Sequence, residues 1–397
     1  VTLDVVTELV GHWKLDETSG TSAADASGNG NTGTLLNGAA FTSEGLIGSG
    51  LDIDDGDDAV DLGTLDGTDA LGFTASSLVR LDSFTGGASG GRILSKANGT
   101  AADDHLWMLS ITENDTIRFR LTVDDGQGGT NFLDAETAAL SLQAGRWHQV
   151  AASWDGATAN ILLDGAVVHS AALEGVAVAI DDNVSAHIGN NPDSLTRGID
   201  GVIDDVRLYR RALTVSELRE LAPHIDAEVI DLSTASVGFG GDKLLDGSGL
   251  DASDRTHDTD SNNHWITTAG DTTPEITFDL GATYDLTAAR VWNYNDAATT
   301  RGARQIDVYL AGDADGNDAP DAFTLFRSFE LDEGSNLGDE AGEALNLSDG
   351  SARFVRFDIV ENHGNPDFAG LAEVEFFGIQ TADPAGDTIA GATVLDF

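Results

Sequence analysis

Apolar residues in this chain recur at every second position in short runs, and the runs are closed by Gly, Asp, Asn or Ser. A period of two puts apolar side chains on one face of an extended strand and polar ones on the other. Such a pattern folds into antiparallel sheets with one buried face. Ile276, Phe278 and Leu280 alternate before Gly281; Ile306, Val308 and Leu310, then Val355, Phe357 and Ile359, follow the same rule. Ile161, Leu162 and Leu163 precede Asp164-Gly165, a pair that predicts a tight hairpin turn between two apolar runs. Gly is abundant at 47 and Pro scarce at 6, so the turns rely on positive φ rather than on proline. One stretch reads as helix: residues 214–221 open with Thr214, carry Glu217 three residues later, and stop before Pro223. The predicted fold class is all-β.

At 397 residues the chain is long for one domain and comfortable for two, and 41% hydrophobic residues supply real cores. The short helix sets a boundary near His224, giving domains over 1–224 and 225–380. The tail 381–397, with Pro384, Gly386 and Gly391, reads as a linker towards something further on, although Ile389, Val394, Leu395 and Phe397 also suit a strand. No apolar run approaches the roughly 18 residues of a membrane helix, so no membrane insertion is expected. The chain begins at Val1 without an apolar leader and reads as a mature or excised fragment. There is no cysteine, so a secreted or cell-surface protein of this size must be held by its cores, by bound metal, or by both.

Acidic residues number 68 against 20 basic ones, a formal charge of −48. Such a surface repels phosphate backbones, which excludes nucleic acid as a partner. Two causes of the acidity remain. One is adaptation to salty, marine or halophilic surroundings, where self-repulsion is screened over roughly 3–8 Å. The other is calcium loading at several loops. The first is the main expectation, with a few calcium sites inside it.

Four segments of the first half carry a resemblance. They are Gly11-His12-Trp13-Lys14-Leu15-Asp16-Glu17 running on to residues 25–33, then Gly48-Ser49-Gly50-Leu51, then Arg146-Trp147-His148-Gln149-Val150-Ala151 through Trp154-Asp155-Gly156, and finally residues 200–213. In this order and spacing the half resembles the laminin-G-like jelly rolls of the concanavalin A-like lectin and glucanase superfamily, which implies two packed antiparallel sheets. Independently of that likeness, alternation puts Val202, Asp204, Val206 and Leu208 on one strand face. A carboxylate among aliphatic side chains must be hydrogen-bonded, paired or bound to metal. Asp204 therefore either accepts backbone N–H groups at a turn or ligates an ion. The resemblance favours the ion, since such jelly rolls often hold a structural calcium; Asp16 is then the partner, with carbonyls around 48–50 and water. Asp25 and Asn29 are secondary ligands, or turn formers. The Glu-x-Asp-x-Glu strand of the family's glucanases is missing from residues 1–224, and Asp204-Asp205 point to opposite faces. Trp147 and Trp154 either stack sugars or fill the core, and His105 and Trp107 are weaker candidates to face a ligand.

The second half presents Lys243-Leu244-Leu245-Asp246-Gly247-Ser248-Gly249, His264-Trp265-Ile266, Ile276-Thr277-Phe278-Asp279-Leu280-Gly281, Val291-Trp292-Asn293-Tyr294-Asn295 with Arg301-Gly302, and residues 368–378. These blocks resemble discoidin (F5/8 type C) domains of the galactose-binding-like fold. Both resemblances together imply two β-sandwich (jelly-roll) domains in tandem. The second implies a calcium held by Asp246 and Glu373, with backbone oxygens of Ala372 and the Ser248 region; the alternative for Glu373 is a pair with Arg356. One ion tying a long loop to a strand would offset loop entropy that no disulfide constrains. The acidic loop 313–318 lacks the glycine and glutamate of an EF-hand and reads as a hydrated hairpin tip. Sugar contacts on such sandwiches come from end loops, where a ring stacks on the pyranose and Arg, His or Asn grip hydroxyls. The candidates are His257, His264, Asn295, Arg301, Asn362, His363 and Phe368.

The leading functional expectation is a non-catalytic carbohydrate-binding or adhesion segment of a larger secreted or surface protein, stabilised by calcium. Neutral or galactose-type glycans suit the charge unless calcium bridges an anionic one. The alternatives are a structural, protein-binding adhesin module, and part of a polysaccharide-degrading enzyme whose catalytic domain lies elsewhere.

Overall fold

The computed structural model describes residues 8–381 other than 55, 66–70, 85–89, 141, 143, 182, 252–255 and 339. The expected linker or strand beyond Thr381 lies outside the described residues. The chain divides into two compact units, one within residues 8–222 and one over Pro223–Thr381. Both are built of strands, so the fold is all-β as the alternation predicts. No helix among the described residues is long and apolar enough to cross a membrane.

The strands of unit 1 are β1 (Leu9–Trp13), β2 (Ser22–Ala23), β3 (Gly33–Leu36), β4 (Ala40–Thr42), β5 (Gly50–Ile53), β6 (Ala59–Asp61), β7 (Phe73–Ser83), β8 (Gly91–Ala97) and β9 (His105–Ile111). They continue as β10 (Ile117–Asp124), β11 (Thr130–Glu136), β12 (Trp147–Trp154), β13 (Thr158–Leu163), β14 (Ala166–Ala172), β15 (Ala177–Val178), β16 (Ala186–Ile188) and β17 (Asp200–Tyr209), followed by helix α1 (Val215–Glu220). One sheet runs β14-β13-β12-β7-β17-β5-β4, with β1 also on β17; the other runs β11-β10-β9-β8-β16-β6-β3-β2, with β15 on β10. Their inward faces share one apolar core. Phe73 of the first sheet lies 5.8 Å from both Trp107 and Phe119 of the second, ring centre to ring centre. Truncating such a buried ring costs about 3–5 kcal/mol, so Phe73 is a keystone of the sandwich.

Local chemistry explains the connections. Asp164 and Gly165 both take positive φ, 47° and 74°, which closes β13 onto β14. Thr214 caps α1 by accepting the Glu217 N–H at 3.2 Å, while the Glu217 carboxylate accepts the Thr214 N–H at 2.6 Å. Trp154 is fully buried, its indole donating to the Leu173 carbonyl at 2.7 Å, and Trp107 is buried in the same core.

One expectation fails. Val202, Asp204, Val206 and Leu208 do not share a face, because β17 carries a bulge: its register against β7 shifts between Asp204 and Arg207, and Asp205 takes a φ of 48°. The extra residue moves Val206 and Leu208 onto the core face with Ile203, while Asp204 stays on the opposite one.

Unit 2 is built of β18 (His224–Ile225), β19 (Glu228–Leu232), β20 (Trp265–Ile266), β21 (Glu275–Asn293), β22 (Ala303–Ala311), β23 (Thr324–Glu330), β24 (Glu343–Asn362) and β25 (Gly370–Gln380). The sheet order is β18-β25-β21-β24-β22-β23, with β19 on β21 and β20 on β25. The long β21 and β24 turn a corner together. Residues 275–279 pair with β19 and with 354–358 of β24; after a register shift, residues 284–293 pair with β25 and with the first half of β24. The two halves face each other across a core in which Phe278 and Phe357 pack on Phe376, at 5.0 and 5.8 Å.

Candidate functional site

In unit 1 the bulge places two aspartates at a junction. The start of β17 pairs with β5 and its end with β1. Asp204 and Asp205 lie where one partner gives way to the other. The segment before β5 and the residues after β1 converge there: Asp204 Oδ2 accepts the Ile47 N–H at 2.8 Å, and Asp16 Oδ1 accepts the Ser49 N–H at 3.1 Å. Asp204 is wholly inaccessible, and its Oδ1 is buried without a hydrogen-bond partner among the described residues. Burial first, and then the Asp205 and Asp16 charges, push its carboxyl well above the usual carboxylate range, against the Ile47 hydrogen bond. A buried carboxylate oxygen with no donor is the group a hard cation satisfies. The turn 47–49 passes so close that a Cβ on Gly48, at φ 68°, would sit 2.2 Å from Asp16 Oδ1.

Asp205 faces other partners. Its Oδ1 lies 2.6 Å from His12 Nε2 and its Oδ2 3.4 Å from Arg207, all three side chains being buried. Burial alone would raise its carboxyl; the Arg207 charge and the His12 hydrogen bond outweigh that and hold it below the ordinary value. The oxygens of Asp25 are engaged by three N–H groups: Oδ1 by His12 at 3.0 Å and Ser27 at 2.9 Å, Oδ2 by Asn31 at 2.8 Å. Asn29 donates its amide to the carbonyls of Leu9 and Val10, at 2.6 and 3.2 Å. Both residues stitch the glycine-rich loop to β1.

In unit 2, Asp246 Oδ1 accepts the Ser248 N–H at 2.8 Å and Oδ2 meets the Lys243 ammonium at 2.9 Å. Ala372 and Glu373 are buried on β25, and the Glu373 charge reaches the same ammonium. Lys243 thus stands among Asp242, Asp246 and Glu373 as a resident cation. Arg356 pairs with Asp358 at 2.8 Å. In loop 313–318, Asp313 and Asp318 each meet Arg353 at 2.8 Å, so this tip is anchored as well as hydrated. Among the described residues no group of three or more His, Cys, Asp or Glu side chains is arranged to hold a metal ion. An ion at either place would therefore draw on carbonyls and water for most of its shell.

At one end of unit 2 the loops gather most of the sugar-site candidates. The Arg301 guanidinium lies 5.1 Å from the centre of the Phe368 ring and 5.6 Å from that of Tyr294. It donates to the Tyr294 hydroxyl at 3.1 Å and stands 3.6 Å from Asp296, which accepts that hydroxyl's proton at 2.9 Å. Burial, and then Asp296, push the Tyr294 phenol up to about 12, so it remains a donor. Arg301, Phe368 and His363 are half-buried and reach solvent. His363 joins them through its N–H on the Gly302 carbonyl at 3.0 Å.

The remaining candidates stand behind this surface. His257 and His264 are fully buried, 4.9 Å apart, and His264 lies 4.9 Å from Tyr294. Burial, then the neighbouring His257, lower the His264 pKa to about 4, so its ring is neutral. Asn295 donates to the Leu337 carbonyl and accepts the Asn336 N–H, both at 2.7 Å. Asn362 donates to the carbonyls of Asn365 and Phe368, at 2.9 and 2.7 Å. These two amides fasten loops and are nearly inaccessible. Sequence reasoning missed Tyr294 and Asp296 as the frame of Arg301; an aromatic and an acid a few residues before an arginine were the available signal.

These geometries can be set beside known proteins. Residues 54–219 match the family Laminin_G_3, the concanavalin A-like lectin/glucanases superfamily. The match falls wholly within unit 1. Among solved structures the chain is similar to domain 4 of AbnA, a GH43 extracellular arabinanase from Geobacillus stearothermophilus in complex with arabinotriose, at 19% identity over 54% of this chain and 97% of that one, TM-score 0.42. It is similar to the Trypanosoma rangeli sialidase at 18% identity, covering 54% of this chain and 32% of that, TM-score 0.40. It is also similar to the family 89 glycoside hydrolase from Clostridium perfringens at 21% identity, covering 39% of this chain and 14% of that, TM-score 0.29. The chain thus spans a third or less of the two latter enzymes. No curated protein matches it.

Proposed function

We propose that this chain is a non-catalytic, glycan-binding segment of a larger secreted or cell-surface protein, and that its discoidin-like second unit reads neutral, galactose-type sugars. The observation that carries this is the Arg301 guanidinium held 5.6 Å from the Tyr294 ring centre and 5.1 Å from that of the half-buried Phe368. A pyranose offers an apolar C–H face and vicinal hydroxyls; a half-exposed ring and a fixed fork of donors match both. Asp296 stands 3.6 Å from Arg301 and fixes the direction of its donors, and the overall charge of −48 favours a neutral sugar.

Calcium is proposed as a structural ion in both units. In unit 1 the support is the unsatisfied Asp204 Oδ1 beside Asp16 and turn 47–50; there the ion would neutralise buried carboxylate charge. In unit 2 the set is Asp246, Ser248, Ala372 and Glu373, for which Lys243 competes. The acidity fits salty surroundings, where a highly charged surface stays soluble.

A glycan array and calorimetry at high salt with calcium test the reading. Neutral galactose-type glycans should bind, and Phe368→Ala and Arg301→Ala should each weaken binding about tenfold or more with melting temperature unchanged. Absence of neutral binders, or binding indifferent to both changes, refutes the sugar site. Reducing ends or unsaturated products released from polysaccharides by the pure chain would refute the non-catalytic part.

A further inference from the structure

The second sheet of unit 1 carries arginines on its outward face. The register across β8, β9, β10 and β11 aligns two rows: Arg92–Ser110–Arg118–Glu136 and Ser95–Met108–Arg120–Asp134. The intervening row, Leu94–Leu109–Phe119–Ala135, points into the core, so both polar rows point away from it. Four guanidiniums collect here, because Arg197 also reaches Arg92. Burial, followed by the charges of Arg120, Arg197 and Arg118, lowers the Arg92 pKa to about 9. The carboxylates opposite are Glu136, 3.1 Å from Arg118 Nε, and Asp134, 3.2 Å from Arg120 Nη2. In a chain with 68 acids and 20 bases, four arginines with Glu136 and Asp134 as the carboxylates that meet Arg118 and Arg120 among the described residues shift the local balance towards positive charge.

A second, independent observation points to a ligand. Ser95 and Ser110 are fully inaccessible, and neither hydroxyl has a hydrogen-bond partner among the described residues. A buried hydroxyl without a partner costs free energy; Ser110 stands in register between Arg92 and Arg118, and Ser95 lies in the next row with Met108 between it and Arg120. Exposure rises towards the outer strand, from 0% and 1% at Ser110 and Arg92 to side-chain values of 16% at Arg118 and 34% at Asp134, so the patch opens on the β10–β11 side. His105 adds no charge, since burial, Arg92 and Arg120 depress its pKa to about 4.

We propose that this face is an oxyanion-binding site in which the Ser110 hydroxyl and the guanidiniums of Arg118 and Arg120 receive a carboxylate or sulfate group carried on a sugar. Arg forks match planar and tetrahedral oxyanions through paired N–H donors, and a hydroxyl supplies the third contact. The site is separate from the Arg301 fork. It accepts a single anionic group where the general field opposes an anionic polymer.

Calorimetry of the intact chain at fixed ionic strength tests it, with sodium glucuronate, glucose 6-sulfate, inorganic sulfate and methyl glucoside as probes. The anionic sugars should bind and methyl glucoside should not. Ser110→Ala and Arg118→Gln, each checked by melting temperature, should weaken anion binding about tenfold or more; if Arg118→Gln fails to fold, Ser110→Ala decides. Inorganic sulfate binding as tightly as glucose 6-sulfate supports the oxyanion site and assigns it to the free ion. The proposal is overturned if no anion binds, if methyl glucoside binds as well as glucuronate, or if anion binding survives Ser110→Ala unchanged.

Discussion

Replacing Asp204 by Asn separates a carboxylate that holds a cation from one that merely accepts hydrogen bonds. The substitution keeps the size and the acceptor for the Ile47 N–H, and removes the charge from a side chain with no accessible surface. With calcium stripped away, the wild-type chain must bury either a charge beside Asp205 and Asp16 or a proton on Asp204. Asn relieves that burden, and its stability in chelator should equal the wild type or exceed it by ~1–2 kcal/mol. With calcium at about a hundred times its dissociation constant, the wild type gains ~2.7 kcal/mol, a shift of roughly 5–10 °C for a unit of this size. The Asn variant should gain almost none of it. The pH dependence follows the same logic. A carboxyl whose folded pKa is raised binds more protons folded than unfolded, so its contribution to stability is present at low pH and declines as pH rises above about 4. In chelator the wild type should show that decline relative to Asp204→Asn, and calcium should abolish the difference. Differential scanning calorimetry of both proteins in calcium and in EGTA makes the comparison. An equal calcium shift in the two would refute the assignment, and so would an equal loss of stability by the variant in both buffers.

Lys243→Met removes the ammonium that pairs with Asp246 and feels the Glu373 charge; calcium should then bind unit 2 roughly thirtyfold tighter, the ~2 kcal/mol between a unit charge and a divalent ion at about 4 Å in water, and titration calorimetry showing unchanged affinity would count against that site. His264, neutral with its pKa lowered from 6.5 to about 4, makes the folded state bind fewer protons than the unfolded one in that window. Stability should therefore fall as pH drops from 6.5 towards 4, by up to roughly 1.4 kcal/mol per pH unit; urea midpoints should show a shallower fall for His264→Phe, and parallel curves would reject the idea. Thr214→Ala opens the capping box of α1 and should cost ~1 kcal/mol, about 2–4 °C. No shift in melting would mean the cap contributes nothing.

What the sequence disclosed and what it hid divide along a physical line. Period-two alternation at Ile276, Phe278, Val355 and Phe357 predicts buried strand faces, and these side chains are inaccessible, because along a stretch of strand without a bulge the face is fixed by parity. The turn at Asp164-Gly165 and the cap at Thr214 were legible for the same reason: each is settled by neighbours a few residues away. The loop histidines were not. His257 and His264 read as surface groups, but both are inaccessible, and Gly249 passes so close that a Cβ there would lie 2.7 Å from His257 Cε1.

The bulge at Asp205 shows why site geometry escapes a reading that recovers the strands. A single left-handed residue leaves the composition and the apolar spacing of β17 unchanged, yet it transfers Val206 and Leu208 to the other face. Nothing in the string Asp204-Asp205 says which of them bulges; the bulge falls where β5 gives way to β1 as the partner of β17. The arginine patch is the converse case. Arg118 and Arg120 are visibly on one face from their spacing, but that they meet Ser110 and Arg92 is a fact of register between strands distant in sequence. Each strand here needs only alternation to form, whereas its chemistry depends on which neighbour lies across the hydrogen bonds, so the same string that specifies two sandwiches leaves their binding groups to be set by pairing.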